Sequence, residues 1–344
     1  MYGLYKCIFL ILMLTLSGCS DKPLNSPYGK NVDNKKVFYS SFQERPKHLD
    51  PARSYSSNEY AFIAQIYEPL FQYHYLKKPY QLIPLAAKEM PELIYLDNKF
   101  EKTKDKNKVR YIKYVLKIKR GILYQNHPAF YKNGSNYRYH NLKKTELEGI
   151  DTIKDFKNES TRELTSDDYI YQIKRLADYK NHSPIAGVMQ EYIFGFSEYN
   201  KKISNAKYKN NSERIELIKS NQIKGVEKID NFTFSIILKK QYPQFVYWLA
   251  MPFFSPMPWE ADMFYSQPGL QEKNITLNWF PVGTGPFKLT ENNPNLRMVL
   301  EKNKNFRKEV YPSLKDKIVK RKMISYNKNK VIPFIDKAIY SLEK

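Results

Sequence analysis

The 344-residue sequence predicts a mixed α/β fold with long excursions, and three observations predict it. Two runs, Arg110–Lys119 and Phe232–Lys239, alternate between apolar and polar residues as half-buried strands do. Two segments open helices with a hydroxyl residue followed three positions later by a carboxylate, at Ser56 and Thr165. The connections between these elements are long and irregular, which suits neither a bundle nor a sandwich.

Taken in order, Val37–Phe42 is a short β-prone run, and Leu49-Asp50-Pro51 signals a turn. Ser56-Ser57-Asn58-Glu59 is a capping box, in which Ser56 accepts from the amide three residues on and Glu59 reaches back. The helix it opens is expected to run to Glu68, with Tyr60, Ile63, Ala64 and Tyr67 on one stripe, until Pro69 stops it. Residues 99–108 form a lysine-rich, solvated hairpin or loop. In the strand that follows, Ile112, Tyr114, Leu116 and Ile118 point one way and Tyr111, Lys113, Lys117 and Lys119 the other. Thr165-Ser166-Asp167-Asp168 starts a second helix. Its aspartates suit the positive N-terminal end, and Lys174 and Arg175 sit near the C-terminal end. Its buried face is read as Ile170, Ile173 and Ala177, with Tyr169 and Leu176 beside them. In the second alternating run Phe232, Phe234, Ile236 and Leu238 point inward. The stretch 125–165 is rich in Asn, Lys and Tyr and shows no period.

The first residues address the chain. Lys6 supplies a positive start, and Cys7–Leu16 is apolar apart from Thr15. That run is half the ~20 residues a membrane-spanning helix needs, so it reads as the core of a signal peptide. Leu16-Ser17-Gly18-Cys19 follows and resembles a bacterial lipobox, which implies cleavage before Cys19 and a lipid thioether on its sulfur. The plainer alternative is a coincidental Ser-Gly-Cys after an ordinary secretory signal. Residues 1–18 are thus a lipoprotein signal and 19–36, with Pro23, Pro27 and Gly29, a tether. The expected location is outside the cytoplasm, anchored to a membrane through Cys19. Cys7 and Cys19 are the only cysteines, so the processed chain has no disulfide and no thiol chemistry.

Lysine and arginine total 57 against 35 acidic residues, a formal net charge of +22. In a cytoplasmic chain that balance would point to nucleic acid. Here the export signal argues against a nucleic-acid partner, and the basic residues are scattered, with lysine outnumbering arginine 46 to 11. With asparagine and tyrosine also abundant, much of the charge reads as a compositional bias toward A/T-rich codons, which an anionic membrane surface nearby would also suit, and it says little about function.

No H-E-x-x-H, G-x-S-x-G or P-loop occurs. Ser-x-x-Lys appears at Ser204–Lys207, Ser325–Lys328 and Ser341–Lys344, about as often as chance allows in so lysine-rich a chain. His48, His74, His127, His140 and His182 lack metal-ligand spacing. Gly283-Thr284-Gly285 lacks the rest of a phosphate cradle and reads as a tight turn entering a strand. The chain is not expected to be an enzyme, and no metal or other cofactor is expected.

Several segments, in order, resemble the solute-binding proteins of oligopeptide, dipeptide and nickel ABC transporters (extracellular solute-binding protein family 5). Leu49-Asp50-Pro51 and the helix ending Ile66-Tyr67-Glu68-Pro69-Leu70 match the family's "LDP" and "YEPL". Residues 114–121 resemble its "FxLRxG" strand, and Leu164–Asp178 its "LTAxDV…RL" helix. Val226–Leu238 with Tyr242-Pro243, Pro281–Phe287 ("PVGTGPY") and Leu300–Phe306 ("LxRNPNY") continue the series.

The resemblance implies an α/β, periplasmic-binding-protein-like (type II) lobe with a mixed sheet and an inserted subdomain at about 85–165. It assigns 37–344 to lobe I, with Pro333–Glu343 leading toward the hinge and the second lobe missing. An unpaired sheet edge and a marginally stable chain are expected from that. It further implies an oligopeptide ligand, ABC permease subunits as partners, and Tyr55, Ser56 and Ser57 as hydrogen-bonding groups for ligand, although Ser56 also reads as a plain N-cap. Tyr192, in a segment resembling a cleft-lining stretch, is a further candidate, and packing competes as its explanation. The family's aspartate for a peptide amine comes from the second lobe and has no match here. The function implied is capture of oligopeptides outside the cytoplasmic membrane for delivery to a permease. The alternative is a truncated, non-transporting lipid-anchored remnant or interaction protein.

Overall fold

The alternation at 110–119 produces the strand Tyr111–Lys117, and its even-numbered side chains Ile112, Tyr114 and Leu116 are buried. It pairs antiparallel with Glu92–Leu96 on one side and with Thr233–Leu238 on the other. The second pairing sets Ile112 opposite Leu238, Tyr114 opposite Ile236 and Leu116 opposite Phe234, so the apolar faces of both runs meet one core. Val226–Asp230 closes this four-stranded sheet at its far edge. The lysine-rich residues between the first two strands are mostly exposed, as expected of a solvated loop.

The computed structural model describes residues 36–311 and 327–343; the signal segment, most of the tether and Cys19 lie outside the described residues. A second four-stranded sheet carries the order Val37–Phe42, Lys337–Leu342, Arg297–Lys302, Phe287–Asn293. The first two strands are parallel and the remaining pairs antiparallel, so the sheet is mixed. Parallel neighbours need a crossover. Here almost the entire chain serves as that crossover, and the antiparallel sheet and the helices lie within it.

Helix Ser57–Ile66 starts at the Ser56 capping box. It differs from expectation in two ways. It ends two residues early, because Glu68 precedes Pro69, which disfavours helical dihedrals there, and because the Ile66 carbonyl accepts from the Gly285 amide at 2.8 Å. That contact explains the glycines. A Cβ on Gly283 would lie 1.9 Å from the Ile66 oxygen, and one on Gly285 2.6 Å from it. The glycine turn then enters the strand at Phe287. The buried stripe also differs. Phe62, Ile63, Ile66 and Tyr67 face the core, while Tyr60 is exposed.

Helix Ser166–Ala177 is buried along nearly its whole length, including all five apolar residues expected on its inner face. Lys174 and Arg175 lie in its last turn, as expected. Arg175 is 2% exposed there, and carboxylates from two distant segments surround it. Burial lowers the Lys174 ammonium pKa to about 8, and Lys174 donates to the Lys219 carbonyl at 2.8 Å.

His127 and His140 converge on the backbone of one residue, Ala129. The Ala129 amide donates to His127 Nδ1 at 3.1 Å, and its carbonyl meets His140 Nε2 at 2.9 Å. Tyr265 donates to the Phe280 carbonyl, so His127 Nε2 keeps its proton and donates to the Tyr265 oxygen at 2.7 Å. Burial is the largest cause that pushes the two imidazoles down, to about 3 for His127 and about 4 for His140. Unfolded histidine titrates near the usual value of about 6.5 and takes up protons first as pH falls. The stability these groups contribute is therefore full above pH 6.5. It is lost on acidification until the folded imidazoles protonate as well. Urea midpoints should fall from pH 6.5 downward, each histidine adding a limiting slope of about 1.4 kcal/mol per pH unit. In a His127→Gln, His140→Gln variant the decline between pH 6.5 and 5, above the carboxylate range, should shrink to the part that His74, whose pKa burial also lowers, contributes. An unchanged decline there would reject this assignment.

Candidate functional site

The site begins at the turn Leu49-Asp50-Pro51. Asp50 accepts from its own turn at the Ala52 amide (2.9 Å) and from both terminal nitrogens of Arg175, at 2.9 and 2.7 Å. Its carbonyl takes the amides of Arg53 and Ser54. Burial would raise the Asp50 pKa; the Arg175 guanidinium more than reverses this and holds it below the usual carboxylate value. Arg175 also donates through Nε to Asp262 at 2.9 Å. The Leu49 and Asp50 amides share the Asn278 Oδ1, each at 3.2 Å.

Glu59 anchors the following segment. One of its oxygens accepts the amides of Lys47 and His48, at 3.1 and 2.7 Å. The other accepts the Ser54 hydroxyl at 3.0 Å and the amides of Tyr55 and Ser56, at 2.9 and 3.2 Å. Burial opposes the charge, but these backbone donors outweigh it and depress the Glu59 pKa. With the segment held from behind, the Tyr55 side chain stands 76% exposed.

This arrangement borders a cleft of about 850 Å³. Tyr55, Ser56, Tyr60, Ile63 and Ala64 line it from the turn and first helix, Phe71, Gln72 and Tyr73 from the next strand, and Tyr75 from just beyond it. Tyr247, Met251, Pro252 and Phe253 line it from a later segment. Tyr55 lies 6.2 Å from the Phe253 ring, and Tyr73 stacks on Tyr247 with centroids 6.4 Å apart. Glu68 and Glu309 also reach the lining. Arg307 pairs with both of them, at 2.8 Å from Glu68, and Lys119 is 3.9 Å from Glu309. Burial raises the Glu68 pKa and Arg307 only partly offsets it. Among the described residues, no group of three or more His, Cys, Asp or Glu is placed to hold a metal, and no helix is long and apolar enough to cross a membrane.

Of the residues singled out from the sequence, Tyr55 and Ser56 line the cleft. Ser57 is exposed at the helix start beside them and is not among the lining residues. The Tyr55 and Ser56 amides and the Ser54 hydroxyl are already committed to Glu59, and the Ser56 hydroxyl serves the capping box, which leaves the Tyr55 carbonyl and the hydroxyls of Tyr55 and Ser57 as the less committed groups of this segment. Tyr192 lies elsewhere, stacked on Tyr242 with centroids 3.9 Å apart and absent from the cleft lining. The sequence reading missed Arg175 and the Tyr247–Phe253 wall. The apolar run that contains Tyr247 and Met251 reads as core, and no local signal separates its exposed members from Phe253, which is buried.

A family model described as bacterial extracellular solute-binding proteins, family 5 (middle) matches residues 154–328, just over half of the chain. The chain belongs to this family. Its fold is that of family 5 structures. The pheromone receptor PrgZ, solved for its mode of peptide binding, superposes with a TM-score of 0.54 at 17% identity over 90% of this chain and 43% of its own. A periplasmic oligopeptide-binding protein of Borrelia burgdorferi, OppAIV, gives 0.54 at 18% identity over the same shares. OppA of Listeria monocytogenes bound to peptide gives 0.53 at 13%, again over 90% and 43%. This family 5 chain thus spans less than half the length of these solved structures, and at such identities the likeness shows the fold. A search of the curated proteins finds no match. Glu59→Gln replaces an acceptor-only group with one that presents an amide to five donors. It should cost about 2–4 kcal/mol in urea denaturation, and a loss under 1 kcal/mol would contradict the anchoring role.

Proposed function

We propose that this family 5 chain binds oligopeptides in the cleft beside Tyr55 and Ser56, and that it serves a peptide ABC transporter by delivering them to permease subunits outside the cytoplasmic membrane. The observation that carries the reading is the open, aromatic-lined cleft of about 850 Å³, at the turn and helix start that the family resemblance marks for ligand. Its volume falls within the range typical of ligand sites, and exposed tyrosines give a large contact area at small entropic cost. Family membership and the peptide-bound solved relatives support it. The Tyr55 carbonyl and the hydroxyls of Tyr55, Ser56 and Ser57 are the proposed hydrogen-bonding groups. No residue is assigned a catalytic role.

Isothermal titration of the full chain against a mixed tetra- and pentapeptide library should give saturable heat that is reduced at least tenfold in affinity by Tyr55→Ala. Absence of saturable binding by any fraction of the library would defeat the reading. The proposed anchor is lipid on Cys19, motivated by the Leu16-Ser17-Gly18-Cys19 sequence. Expressed in a bacterial host, the chain should sediment with membranes, and Cys19→Ala should release it to the soluble fraction. Equal sedimentation of the two would refute the lipid anchor.

A further inference from the structure

The cleft differs in charge from the rest of the chain. Lysine and arginine make up 57 of the 344 residues, yet among the described residues lining the cleft there is no lysine, arginine or histidine. The ionic groups that reach it are the carboxylates Glu68 and Glu309, whose counterions Arg307 and Lys119 are not among the lining residues. The remaining surface is largely ring and aliphatic, with Tyr73, Tyr247 and Met251 each more than two-fifths exposed.

We infer that the cleft selects peptides rich in aromatic and bulky apolar side chains and rejects those that bring an anionic side chain into it. The inference rests on the peptide reading above and adds its specificity. An apolar side chain entering between Tyr55 and Phe253, or beside Tyr73 and Tyr247, gains stacking and burial. A ligand carboxylate would lose water and find no cation among the described residues of the wall, beside two carboxylates that pair with Arg307. A ligand ammonium is tolerated, because the tyrosine faces attract cations. The overall positive charge of the protein does not reverse this, since exposed lysines act through solvent and salt.

The test uses four C-terminally amidated pentapeptides, titrated calorimetrically into the full chain: Ala-Phe-Ala-Phe-Ala, its central-Lys and central-Glu versions, and penta-alanine. The neutral and Lys peptides should bind at least tenfold more tightly than the Glu peptide, and the neutral aromatic peptide at least tenfold more tightly than penta-alanine. Gln72→Lys, which places a cation on a half-buried lining position, should strengthen Glu-peptide binding on the order of tenfold at low salt. Equal affinity for the Glu and neutral peptides, or for the aromatic and alanine peptides, would overturn the selectivity and leave peptide binding standing. If none of the four binds while the mixed library does, the selectivity fails alone. Failure of both peptides and library removes the peptide reading and the selectivity together.

Discussion

The buried guanidinium of Arg175 is the contact on which the arrangement of the lobe depends. It joins Asp50, 125 positions earlier, to Asp262, 87 positions later, from the last turn of a helix that is itself almost wholly buried. Three segments remote in sequence thereby meet at one planar, five-donor group, and the arrangement saturates the charge on every side. A lysine could not do this, because a single ammonium cannot pair bidentately with Asp50 and still reach Asp262. Breaking one side of such a pair leaves an unpaired buried charge and typically costs about 3–5 kcal/mol. Arg162 between Asp168 and Glu260, and Arg307 between Glu68 and Glu309, repeat the device. In a chain with 46 lysines and 11 arginines, arginine occupies these junctions.

From Arg175 the consequences run outward to the cleft. Asp50 is the first residue of the turn that leads into Tyr55, and it is held by Arg175 from one side and by its own turn amides from the other. Glu59 then gathers donors from residues 47 to 56, and where that segment reaches the helix the side chains of Tyr55 and Ser56 are left exposed at the cleft. The backbone at this edge of the cleft is held by charge-assisted hydrogen bonds, which would reduce the ordering cost of the proposed peptide binding. The glycine turn at 283–285 completes the support by packing its backbone directly on the last carbonyls of the helix.

Much of the fold was legible. The two alternating runs became neighbouring strands with their apolar faces together, both capping boxes opened helices, and the ordered motifs agreed with the family assignment and the mixed sheet. Periodicity of this kind is local information, because side-chain direction along a strand or helix follows from backbone geometry alone. The place where the same reasoning misplaced a residue is instructive. Tyr60 shares a helical stripe with Ile63 and Tyr67, yet it is exposed at the cleft, since a stripe defines a direction and not what lies in that direction.

By itself, then, the sequence determined the alternating strands, the two capped helix starts, the turn chemistry at Asp50 and at the glycines, the family and a net charge of +22. Tertiary structure alone decided that Arg175 is a buried junction, that Glu59 binds five donors, that Tyr192 packs against Tyr242, and that Tyr55 and Tyr247 border the same cleft. The physical reason is distance along the chain. Ion pairs and clefts are made by segments separated by tens to hundreds of residues, and no periodicity within one segment specifies what another will bring to it.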